Sequence, residues 1–255
     1  MPFMFQSIDL NCDMGEEHPL TGENHDLEIM PFISSCNLSC GFHSGNPMLI
    51  QNTLSAAIER KLNIGAHPSY RDRKNFGRLL IDQDDRELLA DIRYQVCALK
   101  AMCESLGGRL RHVKAHGALY NHLHENDIIA IAYIKLIREI DTDLKIMGLA
   151  GSRFGELCKQ NDMSFIHECF ADRRYEPDGR LRNRKYNNAV LHEDEELMNQ
   201  VKNILNGYVV TSRDSKLELK ADSICLHSDT SSAVKKAALI HDYLKSHHVR
   251  IHPHS

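Results

Sequence analysis

The sequence predicts an α/β protein built on a parallel sheet, most simply closed as a β/α barrel. Short apolar runs recur along the chain, each followed by a polar, glycine-bearing cluster and then by a stretch of helical character. Strands that alternate with helices imply parallel βαβ units. The polar clusters fall where strand gives way to helix, the carboxyl edge that carries the active site in barrels and in open doubly wound sheets. Periodicity does not separate these two architectures, but many strand ends converge on one site more easily in a barrel. The 255 residues are 42% hydrophobic, enough for one core. No linker or low-complexity segment interrupts them, so one domain over 1–255 is expected.

Seven strand-like runs are expected, taken in order. Residues 6–11 lead into CDMGEE, and 29–36 into NLSCGFHSGN. Residues 62–66 lead into HPSYRD, and 110–113 into KAHGALYN. Residues 144–149 lead into AGSR, 164–170 into ADRRY and 222–226 into HSDTSS. Among the helices, Pro47 occupies a favoured first-turn position and opens one to about Leu62. Over 84–106, Leu88, Ile92, Val96, Leu99, Cys103 and Leu106 keep a 3.6-residue period, and Gly107-Gly108 ends it. Asn126-Asp127 starts another to about Ile140, and Ser231 or Ser232 caps the last. Residues 173–191 are long and polar for a connection, and long loops in compact domains tend to be functional.

Composition excludes several roles. Net charge is −4, aromatics are 6% and there is no Trp, which argues against nucleic acid as a partner. No apolar run is long enough to span a membrane. The first residues lack the pattern of a signal peptide, so reduced cysteines and a cytoplasmic location are expected for the eight Cys. Cys36, Cys40 and His43 have the spacing of half a zinc knuckle, but no second half is present, so ordinary packing is expected. Among 16 His, those at 247, 248, 252 and 254 suit a solvated tail, and His122 and His124 a surface loop.

The informative residues close the apolar runs. Asp9, Asn11 and Asp13 alternate and so share one strand face, with Glu16 just beyond. A carboxylate here could act as base or metal ligand; a solvated strand end or a cap is the blander reading. Asn37 and His43 flank Gly41 and Gly45, which allow close backbone approach. His67 follows the next strand and could equally be a satisfied core imidazole. Lys114 and His116 stand two apart. A Lys ending an apolar strand is costly unless paired, and beside an imidazole it could polarise a carbonyl or hold an anion. Glu168, Asp172, Arg173, His227 and Asp229 end the last two barrel runs, and Arg78 sits on a loop. Together these acids, imidazoles and the lysine point to an enzyme. No phosphate loop, dinucleotide fingerprint, nucleophile elbow or zincin motif is present, which leaves acid–base or metal-assisted hydrolysis.

Eight segments, DLNCDMGE, CGFHSGNP, IGAHPSY, FGR, YQVCAL, VKAHGALYN, ECFADRRY and CLHSDT, resemble the LamB/YcsF family in their order, from about Ile8 to about Ile251. The resemblance implies a seven-stranded parallel β/α barrel of the glycoside hydrolase/deacetylase type. It implies ATP-dependent opening of 5-oxo-L-proline to L-glutamate, with B and C partner subunits and ATP used through them. Asp9, Asp13, His43, His67, Lys114 and His116 would then be catalytic, with Asp13 or Asp9 as the base. Asn11, Glu16, Asn37, Gly41, Arg78, Tyr120, Glu168, Asp172, Arg173, His227 and Asp229 would bind substrate. A metal-dependent deacetylase or related amidohydrolase is the alternative, with Asp13, His43 and His67 around a divalent ion; a non-catalytic binding subunit is a third. Asn46, Ala115 and Ser228 stand where the family usually has Asp, Pro and Gly, and EHPLTG departs after Glu16. Loss of charge at Asn46 is expected to retune His43.

Overall fold

The computed structural model describes residues 6–18, 21–227 and 232–254. In chain order its strands are β1 (Ser7–Met14), β2 (Ser35–Ser39), β3 (Asn63–His67), β4 (Leu110–Lys114), β5 (Lys145–Leu149), β6 (Phe165–Phe170), β7 (Tyr208–Val210), β8 (Lys216–Glu218), β9 (Ser223–Leu226) and β10 (Arg250–Ile251). The helices are α1 (Asp26–Ile29), α2 (Pro47–Glu59), α3 (Asp85–Ser105), α4 (Gly117–Glu125), α5 (Asp127–Ile140), α6 (Arg153–Gln160), α7 (Asp194–Leu205) and α8 (Ala233–Ser246). Strands β1 to β6 pair in parallel, each with the next. Strand β9 then pairs with both β6 and β1, with Ser223 opposite Glu168 on one side and Asp9 on the other. That double pairing closes a seven-stranded, all-parallel barrel. Strand β10 extends the start of β1, and β7–β8 form a separate antiparallel hairpin.

The helices form where the sequence supplies caps and an apolar stripe. Asp84 caps α3 by accepting the Arg86 N–H, and Asp85 and Glu87 sit favourably in its first turn. Leu88, Ile92, Val96, Leu99 and Cys103 form the buried face of that helix, as their spacing predicts. Asn126 caps α5 through the N–H groups of Ile128 and Ile129. Among the described residues no helix is long and apolar enough to cross a membrane. The eight cysteines are free, and Cys36 and Cys40 pack without a metal-binding partner set among the described residues.

Several expectations are corrected. The second strand begins at Ser35, not at 29, because α1 and a 3₁₀ turn at Met30–Phe32 occupy the first half of that run. Pro31, lacking an N–H, suits the start of such a turn better than a central strand. The polar Asn37 and Ser39 belong to β2 because their side chains are buried and hydrogen-bonded. The first strand runs on to Met14, and α2 ends at Glu59. His122 and His124 lie on helix α4, not on a surface loop. His122 Nδ1 takes a bond from the Tyr70 hydroxyl at 2.6 Å, and His124 bridges the Tyr120 carbonyl and the Leu149 N–H. Of the proposed caps for α8, Ser232 holds the N-cap position without a side-chain bond, and Ser231 lies outside the described residues.

The barrel interior is unusual for its polarity. Barrels of this kind are commonly filled by branched apolar side chains. Here the shared face of β1 contributes Asp9, Asn11 and Asp13. Asp9 accepts from the hydroxyls of Ser34, Ser35 and Ser223. Asn11 donates to Ser223 at 2.7 Å and accepts from Asn37 at 2.8 Å. Asn37 also donates to Asp13 at 2.8 Å and accepts from His112 at 2.7 Å. Buried polar groups are tolerated when such a network satisfies them.

Candidate active site at the barrel mouth

A cavity of about 400 Å³ opens at the carboxyl ends of the strands, and Asp13, Glu16, His67, Lys114, His116 and Tyr120 are among its walls. Lys114, the last residue of β4, is enclosed. Its Nζ lies 2.9 Å from Asp13 Oδ1 and 2.8 Å from Glu168 Oε1, with Cys225 Sγ at 3.2 Å. Burial works against the ammonium, but Asp13 and Glu168 beside it raise its pKa well above the ordinary lysine value. The Tyr120 hydroxyl donates to the other Glu168 oxygen at 3.2 Å.

Three imidazoles gather around Glu16. Its Oε1 lies 2.7 Å from His43 Nε2, 3.6 Å from His116 Nδ1 and 3.9 Å from His67 Nε2. The rings of His43 and His116 stack with centroids 3.7 Å apart, and His43 Nδ1 lies 2.9 Å from Ser69 Oγ. His67 donates from Nδ1 to the Lys114 carbonyl at 2.7 Å, and its Nε2 faces Asp13 Oδ2 at 3.3 Å. His116 Nε2 donates to the Phe76 carbonyl at 2.8 Å, leaving Nδ1 directed at His67 Nε2, 3.0 Å away. Strand β4 stops at Lys114, so His116 reaches this position as the first residue before α4 rather than as a strand residue.

The three rings are tuned apart. Burial opposes charge on His67, but Asp13 outweighs it and raises the pKa. Burial, then the charge of His67, pushes His43 well below the usual value. Burial and His43 do the same to His116. For Asp13, burial would raise the carboxyl, yet His67 and Lys114 hold it well below the usual carboxylate range. Asp13 is therefore held in its ionised form by these two cations. Asp9 does not line the cavity. It lies deeper in the barrel, its pKa raised by burial, with its oxygens occupied by three serines.

The remaining predicted residues divide in the same way. Asn11 and Asn37 belong to the interior network and do not line the cavity. Gly41 turns the chain after β2 with φ +83°, and its carbonyl accepts from Arg73. Asp172 accepts from His227 Nδ1 at 2.9 Å, which positions that ring at the cavity wall. Arg78 and Arg173 line the cavity, and Asp229 and Ser228 lie outside the described residues. Asn46 stands at the start of α2. It is exposed and caps α2, accepting from Met48 N and Leu49 N at 3.1 and 3.0 Å, a role Asp would also fill. Sequence reasoning missed Ser69, although IGAHPSY contains it, and missed Phe76 and Arg184. Arg184 lies in the long polar loop at 173–191, whose length was its only signal.

The metal set expected at Asp13, His43 and His67 does not converge. Both nitrogens of His43 are turned to Glu16 and Ser69. Among the described residues the donor groups that converge are Glu16, His67 and His116, and separately Asp13, Cys225 and His227. The first set suits a divalent ion, because each histidine gives its other nitrogen to a backbone carbonyl, which orients the ring.

Parallel closure and an acid–imidazole–lysine cluster at the strand ends define a β/α barrel with acid–base groups at its mouth. The chain belongs to the LamB/YcsF family, whose sequence model matches residues 8–255. It is 38% identical over 245 residues to a protein of Natranaerobius thermophilus named as the A subunit of 5-oxoprolinase, covering 96% of this chain and 95% of that one. A Haemophilus influenzae protein of the same name is 39% identical over 247 residues, covering 96% and 99%. The crystal structure of a lactam utilization protein from Thermus thermophilus superposes with a TM-score of 0.89 at 30% identity, over 97% of this chain and 100% of that one. A putative cellobiose-phosphate cleavage protein of Enterococcus faecalis shares the fold at a TM-score of 0.56 and 13% identity, over 97% of each chain.

Proposed function

We propose that this chain opens the ring of 5-oxo-L-proline, pyroglutamate, to L-glutamate, as one component of an ATP-dependent assembly with B and C partners. One observation carries the reading. A caged lysine and a carboxylate ringed by three imidazoles meet in one cavity, in a chain 38–39% identical to proteins named as the A component of 5-oxoprolinase. A five-membered lactam is a stable amide with a poor leaving group. Phosphorylation of its carbonyl oxygen makes an activated imidate. The sequence has no phosphate-loop motif, so ATP is used on the partners.

Water then adds to the ring carbon and gives its proton to Glu16, with His43 at 2.7 Å to pass it on. His43 delivers that proton to the former imine nitrogen; His67, held charged by Asp13, then donates a second to the same nitrogen as the C–N bond breaks, while the new hydroxyl gives its proton to Glu16 and becomes the acyl carbonyl. The open-chain acyl phosphate takes up a second water and yields glutamate and orthophosphate. Lys114 faces the negative charge that develops on oxygen. The test is glutamate and ADP release from 5-oxoproline and ATP, by this chain alone and mixed with its partners. Glutamate is expected only from the mixture, and Glu16→Gln is expected to lower it by about a hundredfold or more. A mixture that forms no glutamate, or a fully active Glu16→Gln, overturns the reading.

A second reading has its own observation, the convergence of Glu16, His67 and His116. A divalent ion held there would polarise an amide carbonyl and lower the pKa of water. Elemental analysis of the purified chain separates the two readings: stoichiometric metal together with ATP-independent amide hydrolysis favours the deacetylase-like alternative.

A further inference from the structure

Gln95 is a polar residue buried on the apolar face of α3. Its amide is spent almost wholly on one residue. Oε1 accepts from the Ser69 N–H at 2.9 Å, and Nε2 donates to the Ser69 carbonyl at 2.9 Å and to the Asp91 carbonyl of its own helix at 3.1 Å. Both backbone groups of Ser69, in the loop after β3, are thus held from α3. The same loop meets the two stacked imidazoles. The Pro68 carbonyl accepts from the His116 N–H at 2.8 Å, and Ser69 Oγ lies 2.9 Å from His43 Nδ1. Neither Ser69 nor Gln95 lines the cavity. Fastening a loop would account for the two backbone bonds, but not for a hydroxyl set against the imidazole nearest Glu16.

That hydroxyl decides which nitrogen of His43 carries a proton. His67 Nδ1 and His116 Nε2 each face a backbone carbonyl, which can only accept, so a proton is fixed on both. His43 Nδ1 faces a hydroxyl instead, which can give or take. Ser69 has one proton and two acceptors in reach, His43 Nδ1 and the Tyr70 carbonyl, each at 2.9 Å. Burial and the charge of His67 keep the His43 ring neutral. If the serine proton goes to Tyr70, the neutral ring donates from Nδ1. Its bare Nε2 then faces Glu16 Oε1 at 2.7 Å, and Glu16 must carry a proton. If the serine proton goes to Nδ1, the ring donates from Nε2 and Glu16 is a carboxylate. The His67 imidazolium, 3.9 Å from the same Glu16 oxygen, favours the carboxylate.

We propose that Ser69, clamped by Gln95, is a positioning residue: its hydroxyl donates to His43 Nδ1, fixes the His43 proton on Nε2, and so leaves Glu16 a carboxylate able to take a proton from water. This rests on the reading of Glu16 as the base and deepens it, because the Nε2 proton is the one His43 passes on. As Nε2 gives its proton to the nitrogen of the substrate, Glu16 returns to Nε2 the proton it took from water. The ring and the carboxylate end as they began, and Nδ1 keeps the serine bond throughout.

Nitrogen NMR of the full chain carrying isotope-labelled histidine reads the tautomer directly, without substrate or partners. The His43 signals, assigned by their loss in His43→Gln, are expected to show a protonated Nε2 and a bare Nδ1. Ser69→Ala removes the donor and is expected to move the ring toward protonation on Nδ1. Gln95→Met keeps the hydroxyl but frees its backbone, and should move the ring the same way by less. Ser69→Thr, which keeps the hydroxyl, should restore the original signals. In the partner mixture, Ser69→Ala is expected to lower kcat for glutamate about tenfold while KM changes less than about twofold. Circular dichroism checks each variant, and Ser69→Ala decides the matter if Gln95→Met does not fold. A resting His43 protonated on Nδ1 overturns the proposal, as does a His43 spectrum that Ser69→Ala leaves unchanged. So does a Ser69→Ala chain with full kcat. The expected tautomer shifts, in a mixture that forms no glutamate, would support the placement of the proton by Ser69 and remove the lactam reading.

Discussion

Lys114 sits between Asp13 and Glu168 with almost no access to water, so each of the three charges depends on the others. Lys114→Met would leave two buried carboxylates without their cation. The expected cost is about 3–5 kcal/mol, the range for breaking a buried ion pair, read as a lower urea midpoint. Asp13→Asn should lower the pKa of His67, followed by NMR of that ring, because the carboxylate is what overcomes burial there. The presence of these groups was legible in the sequence: a lysine or an aspartate at the end of an apolar run must find partners. Their division of labour was not. Asp13 is held ionised by His67 and Lys114, which come from β3 and β4. Nothing in the local sequence of β1 carries that information. Ser69 was invisible for the same reason, since a serine after His-Pro acquires meaning only when His43 arrives from another strand end.

Helix α2 depends on its cap. Asn46→Ala removes the acceptor for Met48 N and Leu49 N and should cost about 1 kcal/mol by chemical denaturation. Asn46→Asp keeps the acceptor and should leave both stability and activity nearly unchanged. The FGR turn before α3 is more exacting. Gly77 has φ +65°, and a Cβ there would lie 2.8 Å from His116 Cδ2 and 2.9 Å from His43 Cβ. Gly77→Ala is therefore expected to push the stacked imidazoles apart and to lower activity more than stability, measured as glutamate release against urea midpoint. At this scale the sequence was most readable where period and caps agree, as in α3 and α5. It misled over 29–36, where apolar residues serve a short helix and a 3₁₀ turn, while the polar stretch beyond them is the strand. A strand whose inward face is hydrogen-bonded rather than apolar breaks the pattern by which strands are recognised.

The whole barrel should unfold in a single cooperative transition, by far-UV circular dichroism and by tyrosine fluorescence alike, if 1–255 is one domain as expected. Acid should weaken it. Burial holds His112 at about 3 and His124 at about 4, below the 6.5 expected when unfolded. Between those values the unfolded chain binds more protons, so the stability these rings contribute is complete above about pH 6.5 and is lost as pH falls toward 4. Asp26, raised by burial to about 6, works the other way, as do the raised Asp9 and His67, but His43 and His116 are lowered by burial like His112 and His124 and act with them. The urea midpoint should be lower at pH 5 than at pH 7, and His124→Gln should narrow the gap. The closure of β1 against β9 also bears on how the chain is made. Asp9 and Ser223 are 214 positions apart, so on a ribosome one flank of the first strand waits roughly 10–40 s for its neighbour. Throughout that time an unpaired strand edge is available to any other nascent chain. Polypeptides released before Ser223 is added should therefore aggregate, and yield on expression should depend on chaperones that shield the open edge.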